Sequence, residues 1–420
     1  MKYINYFSLT LLLCLGVLLL DCKNSNKIKP APVNNEKQKK SNKINSDIKI
    51  LHQNINMSEV IQVPDDIFEN KIDFTQIIDD IDFTILETNN ECIIGSINKI
   101  LSDSNYYFIH DKENDNIFRF SQDGMFINKI GTKGYGPKEY IEAWDISLDI
   151  KNNVIIVLDL MGRKIIRYTY NGDFINKSDM PFLYSQLECL DSFIILKTGN
   201  ATNIDRSIAS FQLVFSELNQ SPIAKAFPIR KGTYSYTTEN PLRKFGSKVY
   251  YHNPFSNTIW NINEKEKSLG IPIQLDFGKK TWSSDDLELV SNDTQFRKLL
   301  EKYYYFSGNY VFSSTHKFFE IRKKNKGAML FQNNKSKKIL YGSSFVNSEK
   351  QLYSILFSNP RWLRFDDKFI TIKQPYEIAQ WKEYILKNDI DKLTQFEKDK
   401  INSINAENNP ILVIFSLRDF

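Results

Sequence analysis

The chain is poor in the residues that enzyme and metal sites most often use. Its 420 residues hold four cysteines and four histidines. There is no CxxC pair and no Cys/His cluster, so the sequence offers no closed zinc site. GxSxG and HExxH are missing too, which argues against a nucleophile-elbow hydrolase and a helix-borne zinc peptidase. Sixteen glycines and 13 prolines are too few for a fibrous or wholly disordered chain. Long apolar runs are also missing, with one exception.

That exception is FSLTLLLCLGVLLL, Phe7–Leu20, behind MKYINY. As a helix its length is about 21 Å at ~1.5 Å per residue, short of a bilayer core of ~30 Å. It fits a secretory leader better than a membrane span. Cys22 follows directly and resembles the lipidation cysteine of bacterial lipoproteins, although Asp21 stands where a small residue is usual. Residues 1–22 are therefore expected to be a lipoprotein signal peptide with lipid attachment at Cys22. Lys23 after the cysteine fits outer-membrane sorting. No acidic surface-export run follows it, so a periplasm-facing domain is expected.

Residues 23–57 read as a tether. The stretch KNSNKIKPAPVNNEKQKKSNKINSDIK (23–49) lacks aromatics and apolar periodicity, and cannot bury enough surface to offset its chain entropy. It also accounts for the charge. Eight lysines there face Glu36 and Asp47, a surplus of six, while the whole chain carries +5. Lys2 and Asp21 cancel, so residues 50–420 are within one charge of neutral. The basic balance belongs to the tether and points to no nucleic-acid surface.

What the chain does contain is a repeat. IFRFSQDGMFINK (117–129) recurs 48 residues later as IIRYTYNGDFINK (165–177), identical at seven of thirteen positions. Asp123-Gly124 and Asn171-Gly172 are hairpin turns, flanked by strands of alternating pattern. YYFIHD (106–111) and VIIVLD (154–159) supply a strand upstream of each hairpin, and EYIEAWDISLD (139–149) supplies another. Four antiparallel strands per repeat is the unit of a β-propeller blade. With the end of the second strand as a marker, the units fall at Asp111, Asp159, near Asp205, Asn253, Arg322 and near Gln374.

The fold expected over residues 58–420 is therefore all-β, a six-bladed β-propeller of four-stranded antiparallel blades. Two longer spacings hold helical inserts, at about 283–305 and 377–407. The strand ILVIFSL (411–417) is expected to complete a blade begun near residues 81–100, because a closed ring removes the open sheet edge.

IGSINKI (94–100), the repeat, NNVIIVLD and ENNPILVIFSL together resemble the six-bladed β-propeller lipoproteins of Bacteroidota, relatives of NHL-repeat propellers. GTKGYGPKEY (131–140) matches that family's glycine-rich segment, except that Lys138 replaces a glycine. The resemblance implies the fold and export, and lends no activity. GTKGYGPKEY itself lacks the following helix and the Lys-Ser/Thr pair of a phosphate loop, so it reads as an inter-blade turn.

His110 and His252 share one repeat position, as do Asp111, Asp159 and Asn253 at the marker. Facing a central channel, such residues would ring a metal or anion. Packed between blades or bonded within turns, they would be structural. Two functions stay open. One is a lipid-anchored, monomeric binding module in the cell envelope, without cofactor, taking a protein, peptide or glycan ligand; the insert at 283–305 is its candidate contact surface. The other is a hydrolase or lyase using a divalent cation such as calcium at the channel. Cys92 and Cys189, nearly a hundred residues apart, leave either one disulfide or two free thiols open.

Overall fold

The strand YYFIHD is apolar over its first four positions, where a half-exposed strand would alternate. The computed structural model explains this through its ring of six blades. It describes residues 48–420 apart from 54–57, 181, 199–207, 209, 219–220, 230–239, 254–255, 284–285 and 288. The leader, Cys22 and the marker near Asp205 lie outside the described residues. Tyr107 and Ile109 enter a core shared with Ile370, Leu412 and Ile414 of the preceding blade. Phe108, one residue out of phase, enters the core shared with Ile146, Ile155 and Val157 of the next blade. Successive side chains of a strand point to opposite faces, and here each face is covered by a neighbouring blade, so both need apolar residues.

Blade 1 comprises Ile97–Ser102, Tyr106–Asp111, Asn116–Ser121 and Phe126–Lys129 in antiparallel order. Blade 2 repeats it with Ala143–Asp149, Val154–Asp159, Lys164–Thr169 and Phe174–Asp179. Blade 3 spans Tyr184–Cys189 to Pro222–Pro228, blade 4 Leu242–Phe245 to Ile273–Asp276, and blade 5 Tyr305–Phe312 to Ile339–Gly342. The two repeat hairpins are the third and fourth strands of blades 1 and 2. In each turn only the glycine has positive φ, Gly124 at 93° and Gly172 at 90°. Each is followed by a register shift in the ladder. This is a turn with a glycine bulge, which three-residue hairpin loops favour.

Blade 6 closes the ring. Its strands run Trp362–Leu363, Phe369–Lys373, Ile411–Leu417 and then Ile78–Ile85, so the outermost strand comes from the other end of the chain. The closing strand thus pairs with residues 78–85, whereas Ile97–Ser102 already opens blade 1. The clasp is part of a longer belt. Lys49–Leu51 pairs in parallel with the outer strand of blade 3, and Glu59–Gln62 with that of blade 4. Lys71–Asp73 pairs with Ser344–Val346 beyond blade 5. The stretch read as tether therefore joins the ring at Lys49.

Both inserts hold helices. Asp293–Lys302 is a helix of the first, with Asn292 as its N-cap accepting from the Gln295 N–H at 3.0 Å. Its Phe296 and Leu299 pack with Trp282 and Val290 in a small satellite core. The second insert forms three helices, Pro375–Ala379, Lys382–Asn388 and Gln395–Ser403. Cys92 and Cys189 are both free and buried.

Candidate functional site

In an antiparallel blade, the first strand is the one nearest the axis, and here the first strands of neighbouring blades meet around a channel. A side chain on that strand can face the channel or an adjacent first strand. Side chains of the second strand point to neighbouring blades. A cavity of about 190 Å³ lies among the first strands of blades 1, 2, 3, 4 and 6.

The inner end of the cavity is polar and buried. Lys99 of blade 1 places its Nζ 3.1 Å from Asp145 Oδ1 of blade 2 and 2.8 Å from Glu188 Oε1 of blade 3. All three are under a tenth exposed. Asp145 Oδ2 also accepts the Leu187 N–H at 2.9 Å. Ser147 Oγ donates to Glu188 Oε2 at 2.9 Å and accepts the Cys189 N–H at 3.0 Å. Burial works to lower the Lys99 pKa, but the two facing carboxylates outweigh it and hold the ammonium above its ordinary value. Burial holds Glu188 above the usual carboxylate range, with Lys99 pulling the other way. This cluster ties three blades together, and removing one member would leave a buried charge uncompensated.

Toward the turns that follow the first strands the lining becomes apolar, through Leu148, Phe245, Trp362 and Leu363. Ile150 and Phe365 line the cavity there with about half their surface exposed. The cavity therefore opens to solvent at that end. Arg243 and Lys244 of blade 4 and Arg361 and Arg364 of blade 6 stand along the wall.

None of the five residues expected at the channel lines this cavity. Asp111 accepts the N–H groups of Gly95, Ser96 and Glu113, at 3.1, 2.8 and 3.2 Å. Asp159 does the same for Ile141, Glu142 and Gly162, at 3.1, 3.0 and 2.9 Å. Both carboxylates thus tie the segment that enters their blade to the turn between its second and third strands. His110 bonds the Ala143 carbonyl of blade 2 through Nε2 at 2.7 Å. His252 bonds the Ser256 carbonyl at 2.7 Å and lies edge-on to Phe306 of blade 5. Burial pushes both rings down to about 4. Asn253 lies just past its strand, where its Oδ1 is 3.5 Å from the Tyr251 hydroxyl. Among the described residues no group of three His, Cys, Asp or Glu stands close enough to hold a metal ion. No helix among them is long and apolar enough to cross a membrane.

The family model for a domain of unknown function, DUF4934, matches residues 58–416. The chain belongs to that family. This DUF4934 chain is similar to the solved structure of a Bacteroides fragilis protein described as exported. The two are 18% identical over 86% of this chain and 99% of the other, with a TM-score of 0.67. A member of the DUF4221 family from Bacteroides vulgatus is 10% identical over 81% of this chain and 97% of its own, at a TM-score of 0.47. The first likeness is one of fold. No curated protein matches the DUF4934 chain.

GTKGYGPKEY of the DUF4934 chain is an inter-blade turn between Phe126–Lys129 and Ala143–Asp149. Glu139 Oε2 accepts the Gly136 N–H at 2.7 Å, and the Tyr168 hydroxyl of blade 2 donates to the Lys138 carbonyl at 2.8 Å. A Cβ on Gly134 would fall 2.0 Å from Glu139 Oε2, so the carboxylate occupies the space that a side chain would need.

Lys99, Asp145 and Glu188 could have been noticed as charged residues on successive first strands, about one repeat period apart. Arg361 and Trp362 carry no such signal, because the first strand of blade 6 is two residues long.

Proposed function

We propose that this DUF4934 chain is an exported, lipid-anchored propeller that binds a ligand in the channel cavity and performs no catalysis of its own. The observation that carries this reading is the cavity itself, with a fixed polar floor and an apolar mouth that opens to solvent. Sites of this kind are concave, largely apolar and equipped with a few placed polar groups. The leader, Cys22 and the likeness to an exported protein of the same fold support export. The blades hold the first strands in place while the surrounding turns differ among the copies, which suits recognition.

The test uses the full chain solubilised in detergent and screened for thermal shift with dipeptides, small organic acids and monosaccharides. Leu363→Trp, which fills the cavity, serves as the control. At least one class is expected to raise the Tm of the wild type and not that of the variant. Shifts that Leu363→Trp leaves intact, or no shift with any class, would overturn the cavity as the binding site. Cys22→Ser is expected to move the protein from the membrane fraction to the soluble one; retention in the membrane would overturn the anchor.

A further inference from the structure

The interface between blades 1 and 2 carries a buried cation without an acid. Arg119, on the third strand of blade 1, is 8% exposed. Its guanidinium lies 4.6 Å over the Tyr106 ring, and Nη2 donates at 3.3 Å to Asn171 Oδ1 in the hairpin turn of blade 2. Its Nε is buried and finds no acceptor. No carboxylate among the described residues forms an ion pair with it. Asp103, beside Tyr170 at the same interface, is taken up by the N–H groups of Asn105 and Tyr106 at 2.8 Å each. Arg167, one repeat on, is held by two acceptors, the Leu218 carbonyl at 2.5 Å and Asn176 Oδ1 at 3.4 Å. A buried guanidinium with one neutral acceptor is short of compensation, and a carboxylate at residue 171 would supply it.

Asn171-Gly172 is the one Asn-Gly pair in the sequence. Asn171 is exposed, and the residue after it has no Cβ to hinder approach of its nitrogen to the asparagine side chain.

We propose that Asn171 is a modification site, where spontaneous loss of ammonia forms an aspartate that pairs with Arg119 and joins blades 1 and 2. The Gly172 N–H donates to the Thr169 carbonyl at 2.9 Å. Once that bond opens and the proton is lost to water, the nitrogen attacks Asn171 Cγ. The bond from Cγ to the amide nitrogen breaks, and that nitrogen leaves as ammonia with a proton from water. A succinimide remains. Water then adds at Cγ and breaks its bond to the Gly172 nitrogen, which regains a proton; the main chain is left intact and the side chain is a carboxylate. Negative charge develops on Oδ1 in the first step, and Arg119 donates to that atom, so the guanidinium stabilises it. The same contact directs water to Cγ instead of the main-chain carbonyl, which favours aspartate over isoaspartate. The turn accepts the product. Blade 1 carries Asp123 at this place, and Gly124 and Gly172 share φ values of 93° and 90°.

Peptide mapping by mass spectrometry tests this on the full chain in detergent, kept folded at mildly alkaline pH. A synthetic peptide of residues 165–177 gives the rate and product ratio without the interface. Asn171 is expected to convert in the folded chain, with a larger share of aspartate over isoaspartate than in the peptide. Arg119→Gln is expected to slow conversion about tenfold, the size of a lost hydrogen bond to a charge, and to lower the aspartate share. Arg167→Gln makes the same change one interface away and is expected to leave both readings as in the wild type. Asn171→Asp is expected to raise the urea midpoint, and to lose that gain in an Arg119→Gln background. An Asn171 that stays intact in the folded chain while the peptide converts overturns the site. A rate that does not fall in Arg119→Gln, or falls equally in Arg167→Gln, overturns the part given to Arg119. A midpoint for Asn171→Asp no higher than that of the wild type overturns the salt bridge.

Discussion

Blades 1 and 2 each close on an unbroken stretch of chain, residues 97–129 and 143–179, whereas blade 6 is assembled from residues 78–85 and 362–417. The contiguous blades use short turns, so each strand pairs with the one just made and loop closure costs little entropy. Their hairpins can be specified locally, by a turn glycine and a period of two, and they are the copies that resemble each other. Blade 6 pairs Phe415 with Ile81 across most of the chain, and three helices separate its second and third strands. No local signal can specify such a pairing. Its cohesion must come from burial, and Ile411–Leu417 is accordingly an inner strand, apolar over its first five residues.

The largest effect is therefore expected at Phe415. It is fully buried, with its ring stacked on Phe369 at 5.5 Å and against Phe357 at 5.1 Å. Phe415→Ala should cost about 3–5 kcal/mol by transfer and cavity terms. Phe118→Ala in blade 1 should cost a similar amount at equilibrium. The two differ in what opens. In Phe415→Ala the amides of residues 78–85 and 411–417 should exchange ahead of those of 106–121, while Phe118→Ala should show no such order. Uniform exchange in both variants, or a loss below about 1 kcal/mol, would break the comparison.

An intermediate effect tests whether distant blade interfaces obey one rule. His110 lies between blades 1 and 2 and His252 between blades 4 and 5. Both are buried and pushed down to about 4, mainly by desolvation, against about 6.5 in the unfolded chain. Between those values the unfolded state binds more protons, so stability falls as pH drops from about 6.5 to about 4. Full protonation amounts to about 3 kcal/mol for each ring. Urea unfolding at pH 7, 5.5 and 4.5 should show this loss, and His110→Asn and His252→Asn should each flatten it by nearly one proton. A slope unchanged in one variant would mean that its ring already titrates near its ordinary pKa.

The two regions also differ in what their sequences reveal. The hairpin strands and turn glycines of blades 1 and 2 set the repeat, the markers along the rest of the chain extend it to six blades, and ILVIFSL stands out as a lone buried strand that must close something. The belt is invisible by comparison. Lys49–Leu51 and Glu59–Gln62 are three and four residues long, too short to show a period, and their partners are backbone edges that any sequence can satisfy. The site is hidden for a related reason. The marker residues stand at the ends of second strands, where repetition is strong because each must close a turn or fill an inter-blade core. The cavity draws on first strands and the turns after them, which fit a different neighbour in every blade. Repetition therefore marks structural positions, and the variable positions line the cavity.

The smallest effect asks whether blade 6 presents the same surface to its neighbour as a contiguous blade does. Gly124, in the hairpin turn of blade 1, lies against the outer strand of blade 6: a Cβ there would sit 2.4 Å from the Ile85 carbonyl oxygen. Gly172, in blade 2, lies against the outer strand of blade 1, where a Cβ would sit 2.6 Å from the Lys129 carbonyl oxygen. Both have φ near +90°, so an alanine would add backbone strain to a contact with main chain that cannot rotate away. Gly124→Ala and Gly172→Ala should each cost about 1–3 kcal/mol. Gly246 has φ +58° and open space around its Cβ position, so Gly246→Ala carries the backbone term alone and should sit at the low end, about 1 kcal/mol. Urea midpoints of the three variants decide the matter. Equal losses at Gly124 and Gly172, both above that at Gly246, mean that a blade built from two chain ends packs like one built from a single stretch. A loss at Gly124 no larger than at Gly246 means that residues 78–85 yield where residues 126–129 do not, and that the clasp is the softer wall of the ring.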